Sequence, residues 1–266
     1  MTNPAQPTFF LSHGGGPWPW IDGMREQYAQ TSRAFAGIPP SLPARPRAVL
    51  MMSGHWEAAD FTVVTSPSPP MVYDYFGFPE HTYRIRYPAA GDPALASRVR
   101  SMLAQAGFAC VEDPERGFDH GAFVPLQLMY PKADVPVVML SMRADYDPRA
   151  HLDAGRVLAP LRDDGVLIVG SGLSYHDMRG FGRPESTAVA SGFERWLGDT
   201  VAEPDPVRRS ELLQRWADAP FARRAHPRED HLVPLMFAAG AARADAGTRL
   251  VVDTVMEVAM ASYRFG

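Results

Sequence analysis

Eight histidines are the residues of this chain best suited to chemistry. Most stand beside glycine or in a turn: SHGGGP around His13, SGHWE around His55, DHGAF around His120, GSGLSYHD around His176, and HPREDHLVPL around His226 and His231. Glycine next to a histidine lets the backbone turn sharply and a ligand come close, which a bulky neighbour would prevent. A lone histidine is more often a hydrogen-bonded packing residue than a ligand. The recurrence of one local pattern is what favours a shared metal or catalytic site. His81 and His151 lie in polar, arginine-containing or helix-start contexts and are expected to carry no chemistry. His226 precedes His231 by five residues, about 140° around a helix, so the two are not expected to hold the same ion.

Several neutral imidazoles suit Fe(II), Zn(II), Cu and Ni, whereas Mg and Ca prefer oxygen ligands. Cys110 is the only cysteine, which excludes an intrachain disulfide and any metal site built on several thiolates. A histidine-rich divalent site with open positions fits either non-haem iron oxygen chemistry or a zinc centre. Other familiar chemistries lack their motifs. There is no HExxH, Gly14-Gly15-Gly16 lacks the GxGxxG spacing, no phosphate loop occurs, and Gly170-Ser171-Gly172 is not a GxSxG nucleophile elbow.

The elements that must position these histidines are short apolar runs, each followed by small residues and then a histidine: Thr8 to His13, Ala48 to His55, and Val166 to His176. Continuous apolar runs bounded by glycine or serine read as buried central strands. Val135 to Met142 is a fourth, and the tail from Arg249 to Val255, with Ala261 to Phe265, adds one or two more. Helical patterns cover Ile21 to Ala36, Pro93 to Ala106, Ala122 to Met129, Arg149 to Leu161, Thr187 to Val201 and Ser210 to Ala222. Strands alternating with helices predict an α/β fold: one domain over residues 1–266, a central mostly parallel sheet with helices on both faces, and the active site at the carboxyl ends of the strands.

Composition narrows the partners. The 26 basic and 30 acidic residues give a net charge of −4, which offers no clustered positive charge for nucleic acid or anionic lipid. Hydrophobic residues are 46% and charged residues 21% of the chain, enough apolar material for a substantial core and too much for intrinsic disorder. The start has no basic n-region, and Leu232 to Ala242 is too short to span a membrane. A soluble, cytoplasmic protein is expected, and a homodimer would be ordinary for such an enzyme.

Seven motifs in order, SHGGGP, SGHWE, YDYFGFP, YRIRYP, DHGAFVPL, GSGLSYHD and HPREDHLVPL, run from His13 to the end of the chain. In this order they resemble the class III extradiol ring-cleavage dioxygenases of the 4,5-DOPA dioxygenase type. The resemblance implies that His13, His55 and His231 bind the metal, with Glu229 and Asp230 beside the third position keeping that ligand open. It implies that His176 is the acid/base near the substrate, or else a fourth ligand, and that His120 lines the pocket and assists proton transfer or oxygen positioning. Fe(II) would serve activity, with Zn(II) as an alternative bound or native metal. The substrate would be a small catechol-type, DOPA-like molecule opened by O2 to a muconic semialdehyde-type product. Neutral histidines would leave the loaded site formally +2 and attract a catecholate. Aromatic residues at Trp18, Trp20, Tyr73, Tyr75, Phe76, Phe78 and Tyr83 could wall a flat pocket, with Tyr75, Phe76 and Trp18 named for substrate binding. Two other readings stay open: a non-catalytic zinc-binding protein of the same fold, its site closed by four histidines, and a zinc hydrolase.

Overall fold

The computed structural model describes residues 4–266. Its eight strands are β1 (Thr8–Ser12), β2 (Ala48–Ala58), β3 (Phe61–Val64), β4 (Cys110–Asp113), β5 (Val137–Arg143), β6 (Val166–Gly172), β7 (Gly247–Val255) and β8 (Val258–Phe265). They form one sheet in the order β4-β3-β5-β2-β6-β1-β8-β7. The central four, β5-β2-β6-β1, are parallel, and these are the four apolar runs legible in the sequence. Alternation explains why those runs are apolar throughout. Val49, Met51, Leu167 and Val169 enter one hydrophobic core, while Leu50, Met52, Val166 and Ile168 enter a second on the opposite face.

The helices are α1 (Met24–Gln27), α2 (Ala29–Ala36), α3 (Ile38–Ser41), α4 (Pro93–Gln105), α5 (His120–Met129), α6 (Pro148–Leu158), α7 (Pro184–Val201), α8 (Pro206–Gln214), α9 (Ala222–Ala225) and α10 (Val233–Ala241). Phe35 of α2, Phe123 of α5 and Phe193 of α7 pack into the first core, and Val99 of α4 and Leu158 of α6 into the second. The α/β fold with helices on both faces is therefore as expected. The entirely buried run in α10 is a core helix that contributes to both clusters.

The edges differ from the expectation. β3 and β4 were not foreseen: β3 is buried and mostly apolar but only four residues long, and β4, equally short, is half exposed and ends in two acidic residues. β3 runs antiparallel to β5, and β7 and β8 form an antiparallel hairpin joined to β1 through β8. The helix expected over residues 21–36 breaks at Tyr28, whose backbone leaves helical geometry while its ring stacks on Trp18. The one expected over residues 210–222 stops at Gln214, and a left-handed Phe221 starts a separate short turn, α9. Among the described residues, no helix is long and apolar enough to cross a membrane.

Candidate metal centre and cavity

His13 lies one residue beyond β1, and its backbone N–H donates to Gly172 O at the end of β6 (3.0 Å). Trp18 Nε1–H donates to His13 O (2.7 Å), and Gly14, at φ +80°, provides the turn between them; a side chain there would meet the Trp18 ring at 2.5 Å. His55 sits where β2 leaves its pairing with β5, in the irregular stretch between Met52 and Glu57, a break of the kind that re-aims a side chain. His120 opens α5, whose N-cap is the buried Asp119. Asp119 also accepts from Ser53 Oγ (2.7 Å) and from Arg116 Nη2 (2.8 Å), so one carboxylate ties β2 to the start of α5.

His176 follows β6, its N–H donating to Ala225 O (2.8 Å). His231 stands just before α10, and its carbonyl accepts from Leu173 N (3.0 Å). Gly172 makes this approach feasible, because a Cβ there would lie 2.0 Å from His231 O.

The five rings converge. Centroids of His13, His55 and His231 lie 4.6 to 5.3 Å apart, His120 is 4.0 Å from His55, and His176 stacks on His231 at 3.5 Å. His13, His55 and His120 each offer one nitrogen within 4.8 Å of the others, and His176, Asp230 and His231 form a second such group. His55 Nε2 and His231 Nε2 face each other at 3.1 Å and join the two groups. His226 is buried elsewhere, against Phe193 and Trp216. His151 is held by Arg143 N and Asp147 O, and His81 is exposed.

Each ring nitrogen that faces away from the centre lies beside a carboxylate or carbonyl oxygen, although His231 Nδ1 meets its neighbour Asp230 without hydrogen-bond geometry. His13 Nδ1–H donates to Gly14 O (2.8 Å), leaving Nε2 buried and without a partner. The Asp74 carboxylate lies 2.9 Å from His120 Nδ1 and 3.3 Å from His55 Nδ1, and accepts from His120 N (3.0 Å). The Asp230 carboxylate lies 3.2 Å from Nδ1 of both His176 and His231. This is how ligating histidines are generally held, with a carboxylate or carbonyl on one nitrogen and the other free to bind.

Burial, reinforced by neighbouring imidazoles, holds His13 and His55 well below the ordinary imidazole pKa. Burial brings His231 down to about 4, against the pull of Asp230. At neutral pH these rings are uncharged and their lone pairs are available. Burial works to raise Asp74 and Asp230, but hydrogen bonds from their histidines outweigh it and both carboxyls sit below their ordinary range. Two carboxylates therefore stand behind the neutral rings. A cluster of neutral nitrogens with a buried unpartnered lone pair fits a divalent metal of the iron or zinc kind.

Above the rings opens a cavity of about 460 Å³, walled on one side by Tyr75 and Phe78, within the range of small-molecule sites. Two aromatic assignments need correction. Phe76 points into solvent, 91% exposed, because neighbouring residues in this extended loop project to opposite sides. Trp18 is fully buried behind the Gly14 turn, where it braces His13 and does not line the cavity. Tyr73 and Tyr83 pack around Tyr75, and Trp20 against Phe123. Glu229 is turned away into an ion pair with Arg223 (2.6 Å). Sequence reasoning missed Asp74 and Asp119. Asp119 carried a signal, an acidic residue just before a helix start; Asp74, inside an aromatic loop, carried none.

The family model for the catalytic LigB subunit of aromatic ring-opening dioxygenase matches residues 7–265. A 4,5-DOPA dioxygenase extradiol of Beta vulgaris is 38% identical, the match covering 92% of this chain and 90% of that protein. The dioxygenase tasH of Hapsidospora irregularis is 35% identical over 98% and 85% of the two chains. The crystal structure of the uncharacterized protein JW3007 from Escherichia coli K12 superposes with a TM-score of 0.79 at 28% identity, covering 98% of this chain and 100% of that one. A match over nearly the whole length, on a chain whose histidines meet at one end of its sheet, establishes that this protein belongs to the LigB family of class III extradiol ring-opening dioxygenases.

Proposed function

We propose that the chain opens a catechol-type ring with O2 beside the diol, giving a muconic semialdehyde-type product, with a divalent metal held by His13, His55 and His231. The observation that carries this reading is the 3.1 Å approach of His55 Nε2 to His231 Nε2 on the cavity floor. At this distance two neutral rings either share one Nε2 proton as a hydrogen bond or turn both lone pairs on one cation, and the cation also gives the buried Nε2 of His13 the partner it lacks. Fe(II) in this position, with Zn(II) as competitor, would supply Lewis acidity and an electron path between catechol and O2. The balance needs no external reductant. One ring C–C bond breaks, and the two oxygen atoms of O2 end in the new aldehyde and the new carboxylate.

The protein's own part is positional and acid–base. Asp230 holds Nδ1 of His176, which leaves Nε2 to take a phenolic proton and later return it. His120, fixed by Asp74, borders the same space and is assigned to proton transfer or oxygen positioning. Tyr75 and Phe78 offer flat apolar surface to the ring and exclude water. The test is anaerobic loading with Fe(II), followed by catechols and air. Yellow product with stoichiometric O2 uptake is expected; no turnover with any catechol would sink the reading.

A further inference from the structure

The wall of the cavity above the histidines carries no charge. Four methionines, Met24, Met178, Met256 and Met260, line it together with Leu173 and Phe181, and among the described residues no lysine, arginine, carboxylate or side-chain amide faces it. Of its two phenols, Tyr75 spends its Oη–H on Thr82 O (2.7 Å), while Tyr28 Oη accepts from Gly15 N (3.2 Å) and keeps a neutral O–H as the one side-chain hydroxyl donor on the wall. Charged residues next to the methionines turn elsewhere. Arg25 pairs with Asp22 and Glu26, while Asp177 and Arg179 line a separate groove.

Two independent features lie at the mouth. Met178 and Met256 are 65% and 51% exposed, so apolar surface is held in water at the rim of the site. Met256 also occupies a two-residue β7–β8 turn in which it and Glu257 have φ of 48° and 69°, a conformation that normally selects glycine or asparagine. The turn is pinned where it is by Gly182 N–H donating to Met256 O (2.8 Å). Unfavoured backbone is often kept where a ligand is contacted, and of the positive-φ side chains only that of Met256 lines the cavity; methionine adapts to apolar groups of varied shape.

The geometry points to a catechol bearing an uncharged, apolar side chain as the substrate class, in preference to an amino-acid or carboxylate-bearing catechol. This rests on the ring-opening reading above. The diol would go to the histidine end and the substituent would leave through the methionine collar. A zwitterionic or anionic side chain in the same place would lose water without gaining a charged partner.

The test compares 4-methyl-, 4-ethyl- and 4-propylcatechol with L-DOPA and 3,4-dihydroxyphenylacetate, measured as kcat/KM on Fe(II)-loaded protein and as Kd on Zn(II)-loaded protein without turnover. Each added methylene is expected to raise kcat/KM and tighten Kd by roughly 4-fold. 4-Propylcatechol should exceed both charged catechols by roughly 10-fold or more. Met178→Arg, at an exposed rim position that tolerates a long side chain, should shift the ratio of 3,4-dihydroxyphenylacetate to 4-propylcatechol by roughly 10-fold toward the acid. Equal or better kcat/KM and Kd for L-DOPA or the acid in the unaltered protein would overturn the inference and leave ring opening standing. Tighter Kd for the alkyl series with no O2 uptake for any of the five would overturn the ring-opening reading and leave the selectivity of the pocket standing.

Discussion

Replacing Asp74 by asparagine isolates what the carboxylate behind the rings contributes. Its two oxygens face His120 Nδ1 at 2.9 Å and His55 Nδ1 at 3.3 Å, and it also accepts from His120 N at 3.0 Å. Both imidazoles can therefore keep their protons on Nδ1 and present bare Nε2 atoms to the centre. Asparagine has the same shape but only one acceptor oxygen. If that oxygen serves His120, the amide NH2 meets His55 Nδ1, which must then accept, and the His55 proton moves to the Nε2 that faces His231. In the flipped orientation His120 is affected instead. Loss of such a supporting partner weakens metal binding by about 10- to 100-fold, or about 1.4 to 2.7 kcal/mol. The assay is competition for Zn(II) against a chromophoric chelator at fixed pH, with circular dichroism on the metal-free variant to establish that it is folded. A folded Asp74→Asn protein that binds Zn(II) within twofold of the unaltered chain would refute the claim that this carboxylate sets the tautomers.

Other substitutions separate the remaining roles. His13→Ala and His55→Ala should each abolish stoichiometric metal binding, whereas His176→Ala should keep the metal and lose about 10²- to 10⁴-fold in turnover; metal analysis beside activity distinguishes them, and metal loss from His176→Ala would make it a ligand. Gly172→Ala places a methyl 2.0 Å from His231 O, so a destabilisation of about 1 to 3 kcal/mol is expected in denaturant titration, together with weaker Zn(II) binding. His151 reports on pH away from the cavity. Burial lowers it to about 4, while an unfolded imidazole titrates near 6.5, so the unfolded chain binds the extra proton between those values. Its contribution is complete above about pH 6.5 and is lost as pH falls toward 4, by about 3 kcal/mol in all. His151→Gln should flatten the fall in stability measured by urea unfolding between pH 7 and 5.

The central sheet was legible because parallel strands covered on both sides carry continuous apolar runs, as β2 does over Ala48–Met52, β5 over Val137–Leu140 and β6 over Val166–Val169. The edges were not, because short exposed strands such as β4 obey no such constraint. Histidines beside small residues were visible for the same reason that they are useful: close approach needs glycine, as Gly172 shows against His231. Partners that act through space without a local pattern were invisible. Asp74 reaches His55 and His120 across an irregular loop, and no periodicity encodes that contact. The aromatic segment around Tyr75 was read as one surface, yet neighbouring residues in an extended chain project to opposite sides, which puts Phe76 in water while Tyr75 stays inside.

The placement of β1 in the sheet bears on how the protein is made. Its neighbours are β6 and β8, so β1 waits for residues 166–172 and then 258–265 to be made before its edges are covered. At ordinary translation speeds that delay is roughly ten seconds to a minute, during which an apolar five-residue segment stays open to mispairing unless a chaperone shelters it. His231 is made 176 residues after His55, so the proposed three-histidine site cannot close until that intervening stretch has been translated.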